Sequence, residues 1–110
     1  MPYHYQAEKL ADARRCLMLP HNNGIAQSIA DAFHECTLAF HQLDERHLDD
    51  HAGRWVTKIK ALMDTSRVSA SQHEGIWIAK ARTLSPEQQL ELAGAVDELA
   101  HWFDRKAHEE

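Results

Sequence analysis

At 110 residues, with 44% hydrophobic and 26% charged side chains, the chain is long enough to bury one core without a metal or a disulfide. Its 17 acidic and 12 basic residues give a net charge of −5, and the Lys and Arg residues are scattered, which disfavours a phosphate-neutralising nucleic-acid surface. No run approaches the ~20 apolar residues of a membrane span, the start lacks the basic and apolar regions of a secretory signal, and Cys16 and Cys36 have no metal-type spacing, so a cytoplasmic protein with reduced thiols is expected.

Helical periodicity dominates the rest. The first helix is predicted over residues 3–18, where Tyr3, Ala7, Leu10 and Leu17 share a face; Pro20, Asn22, Asn23 and Gly24 then stop it. Arg14 falls inside that stripe. It either carries its head to water along its aliphatic stem or enters a partly buried ion pair.

The clearest signal is IAQSIADAFHECTLAFHQL, residues 25–43, in which Ile25, Ile29, Phe33, Cys36, Phe40 and Leu43 recur at intervals of three and four. Asn22 or Asn23 is placed to cap this second helix, and it is predicted to reach residue 45 or 46. Its far side carries Ala30, His34, Leu38 and His41. A leucine between two histidines on a face expected to meet water makes His34, Leu38 and His41 candidates for a dimer or partner contact.

Asp49 or Asp50 is the expected cap of a third helix to residue 63. Leu48, Ala52, Trp55, Val56, Ile59, Leu62 and Met63 form its apolar face, opposite Asp50, Arg54, Lys58 and Lys60. A short join to the second helix implies that the two are antiparallel neighbours. Residues 64–75 lack a period and read as a loop. Within it Arg67 and His73 stand six positions apart, a spacing that resembles the Arg and His of HEPN-like helical ribonucleases.

Residues 76–81, IWIAKA, fit a short helix better than a strand because no second strand is available to pair with them. Trp77 is expected to cover the bundle and is a fourth candidate for partner contact. Ser85-Pro86-Glu87-Gln88 is a helix start, with Ser as the cap and Pro at the first helical position. The helix that follows is predicted to residue 106, burying Leu92, Ala93, Val96, Leu99, Ala100 and Phe103, with Ala95 and Trp102 widening the face. The expected architecture is an all-α, antiparallel helical bundle of four main helices plus one short helix, a single domain over residues 1–110 with 1–2 and 107–110 frayed.

The 9 histidines raise a metal hypothesis. Asp31-x-x-His34 and Glu98-x-x-His101 have the spacing that di-iron helical bundles use. On the wheel, however, His34 lies about 150° from the core stripe and His101 opposite Leu99, so both should face water. His47 and His51 are a surface chelating pair only if the third helix starts early enough to hold both, and two ligands bind weakly. A native metal or cofactor is therefore not expected, with His47, His51, Glu98 and His101 as the remaining candidates. Arg14 and Arg15 beside Cys16 would lower its thiol pKa, but no base or oxyanion turn can be assigned, and no catalytic residue is named. The expected function is non-catalytic protein–protein interaction of the inhibitor, immunity or adaptor type, with a possible homodimer. A histidine-rich metal-binding bundle and a HEPN-like ribonuclease are the alternatives.

Overall fold

The computed structural model describes residues 3–18, 24–41, 43–69 and 75–109. They form helices α1 (His4–Met18), α2 (Ile25–His41), α3 (Asp50–Met63), α4 (Ile76–Thr83) and α5 (Pro86–His108), with a short 3-10 turn at Glu45–His47 and no strand among the described residues. The fold is an all-α bundle of four main helices and one short one. None of the described helices is long and apolar enough to cross a membrane.

The helix starts follow the capping chemistry. The Asp49 carboxylate accepts from the Ala52 N–H at 2.8 Å and sets the first turn of α3. Ser85 and Gln88 form a reciprocal capping box at α5, with Pro86 behind the cap. Gly24, at φ 99°, takes the left-handed backbone that turns the chain into α2. The expected caps Asn22 and Asn23 lie outside the described residues. At its other end α2 stops at His41, short of the expected residue 45. Asp44 begins a new element instead: its carboxylate accepts from the Arg46 N–H at 3.1 Å and from the Arg46 guanidinium at 3.0 Å. An aspartate that can cap a turn competes well with continuing a helix. In contrast, α5 runs past the expected residue 106 because Ala107 is buried.

α1 packs against α2 on one side and α5 on the other, α3 packs on α5, and α4 packs on α2. Both α1 pairs are antiparallel. Tyr3 lies 5.7 Å from the Trp102 ring and 5.4 Å from that of Phe103, while Met18 at the far end of α1 sits beside Pro86 and Leu90. Lys9 approaches Glu35 at 3.8 Å, and Met18 sits beside Ile25. α3 runs antiparallel to α5, with Asp49 bonded to Trp102 at one end and Leu62 beside Glu91 at the other.

The expectation that the second and third helices are close neighbours is corrected. The main partner of α3 is α5, and α2 meets α3 where their C-terminal ends place Phe40 and His41 beside Lys60 and Met63. The cause is local: the 3-10 turn redirects the chain after α2, and the Trp102 indole N–H donates to Asp49 at 2.9 Å, tying the start of α3 to α5.

Phe33, Phe103, Leu10, Ile29, Ile59, Leu92 and Leu99 are fully buried and come from α1, α2, α3 and α5. Each contributes roughly 1.5–3 kcal/mol relative to exposure. The radius of gyration of 13.8 Å is close to the roughly 13 Å expected of a folded chain of this length.

Candidate functional site

The surface expected on α2 is partly covered. His34 and His41 are exposed, but Leu38 is half-buried and Ala30 buried, because α4 packs along this side. Trp77 meets the His34 ring edge-on, with centroids 6.0 Å apart and planes at 60°. The structure therefore brings His34 and Trp77 together. It places His41 elsewhere, in a hollow at the end of α2 shared with Phe40, Lys60 and Met63. The Lys60 ammonium stands 5.9 Å over the Phe40 ring and also pairs with Glu45.

A larger opening lies at the other end of α2. The last turn of α1, the first turn of α2 and the first two turns of α5 enclose a groove of about 660 Å³. Leu17, Met18, Ile25, Ile29, Leu90 and Ala93 supply its apolar walls, and Ser28 and Gln89 its main polar groups. Three large apolar side chains on this groove face water: Met18 and Ile25 are each 62% exposed and Leu90 is 74% exposed. Single exposed leucines are ordinary, but three large apolar groups converging on one concavity mark a contact surface.

Sequence patterning misses this groove. Ile25 is assigned to the core stripe and Ala93 to the buried face, whereas both are exposed. The missing signal is positional: Met18 and Ile25 end and begin consecutive helices, and Leu90 stands off the stripe of the helix that returns to the same end. None of the described residues that line the groove is charged. In a separate hollow between α1 and α5, Arg14 reaches Asp97 at 2.5 Å, realising the ion-pair reading of this arginine, and Arg15 pairs with Asp12.

The histidines are dispersed. His34 on α2 and His101 on α5 are both exposed, as the wheel predicts, and the His101 Nδ1–H donates to the Asp97 carbonyl at 2.8 Å. Glu98 is exposed. His47 belongs to the 3-10 turn, 3.3 Å from Asp44, whereas α3 begins at Asp50, so one helix does not hold His47 and His51 as a chelating pair. Among the described residues no three His, Cys, Asp or Glu side chains are grouped to hold a metal ion. Arg67 lies exposed in a turn, and His73 lies outside the described residues.

Cys16 corrects the expected sign. Its thiol pKa is raised rather than lowered, first by burial and then by the carboxylates of Asp31, Glu35 and Asp12, which together outweigh Arg15. Burial pushes the Cys36 thiol up to about 12, and it packs as a small apolar side chain.

Comparison with protein-family models, curated proteins and solved structures gave no match to this chain. The geometry carries the functional argument.

Proposed function

We propose that this is a cytoplasmic, non-catalytic protein that acts by binding another polypeptide chain, in the manner of an inhibitor, immunity or adaptor protein, through the groove between α1, α2 and α5. The convergence of Met18, Ile25 and Leu90, all water-exposed on one apolar concavity, carries this reading. Helical bundles often present such grooves to apolar side chains of a partner, and a flexible methionine on the wall adapts to the shape that enters. The uncharged lining of the groove favours recognition by apolar fit over electrostatic steering.

The test is partner capture from the source cell with the full chain, its Ile25→Gln, Leu90→Gln double variant and its Leu38→Asp variant. The expected result is loss of capture with the groove variant while helical circular dichroism is unchanged. Loss with Leu38→Asp alone would transfer the contact to the α2–α4 face, where His34 and Trp77 meet.

A further inference from the structure

We draw no further inference here: the strongest candidate, the apolar groove between the ends of α1, α2 and α5, belongs to the site already described, and nothing in the structure shows what covers it.

Discussion

Asp49 illustrates how one side chain joins two helices. One carboxylate oxygen accepts from the Ala52 N–H at 2.8 Å and caps α3, while the other accepts from the Trp102 indole at 2.9 Å. These two bonds, in that order, hold the carboxyl below its ordinary 3.8. A depressed carboxylate pKa adds stability above the unfolded value and loses it as pH falls through the folded one, so Asp49 contributes to acid unfolding. Replacing it with Ala removes the cap and strands a nearly buried indole N–H, at a combined cost of about 2 kcal/mol. Asn keeps the cap but has a single acceptor oxygen, so it should cost about half as much. Urea unfolding at neutral and acid pH measures both effects: an Asn variant as stable as wild type would remove Trp102 from the account, and equal losses for Ala and Asn would remove the cap. Cys36 acts at the other end of the pH scale. Its thiol stays protonated in the folded chain to about 12, whereas the unfolded chain releases the proton near 9.0, so stability should fall above that pH. Cys36 should add about 1.4 kcal/mol per pH unit to this loss, a component that Cys36→Ala lacks while the raised Cys16 thiol keeps its own, and a parallel alkaline profile for the variant would reject this assignment.

Along α2 the same stripe divides into a buried centre and an open end. Phe33 is fully buried, while Ile25, two turns earlier on that stripe, is 62% exposed. Phe33→Ala is therefore expected to cost about 3–5 kcal/mol through a core cavity. Ile25→Ala should fall within about 0.5 kcal/mol of wild type. Equal costs in chemical denaturation would mean that the end of the bundle is closed. The contrast also explains how far the sequence could be read. Period and caps identify the helices and their apolar faces, down to Asp49 and Ser85, because those signals are local. They do not say how far a neighbouring helix extends along a face, so Ile25 and Ala93 are assigned inward although they line the groove. They also do not show that α4 returns to the far side of α2. Only the mixture of Ala30 and Leu38 among histidines hints at that covering, and a wheel reads such a mixture equally well as exposed surface.

At the scale of the molecule, the helices are held to different degrees. α5 has a complete capping box and core residues along its length, from Leu92 to Phe103. α4 spans 8 residues, starts at Gly75 without a side-chain cap, and has α2 as its main helical partner. Ala81 and Leu84 join its C-terminal end to the main core, whereas Ala79 is buried outside that cluster and Trp77 is only partly buried. Opening α4 from its start breaks the edge contact of Trp77 with His34 but leaves the Phe33, Leu99 and Phe103 core in place. Such an opening should therefore require less free energy than global unfolding. Native-state hydrogen exchange is expected to show the amides of Ala79 and Lys80 exchanging at least about tenfold faster than those of Val96 to Phe103, a gap of some 1.4 kcal/mol. Low denaturant should leave the α4 rates unchanged, because a local opening exposes little surface, while the α5 rates rise with the global transition. Matched protection and matched denaturant dependence in the two helices would instead make α4 part of one cooperative unit. Opening of α4 would then demand the free energy of unfolding the whole bundle.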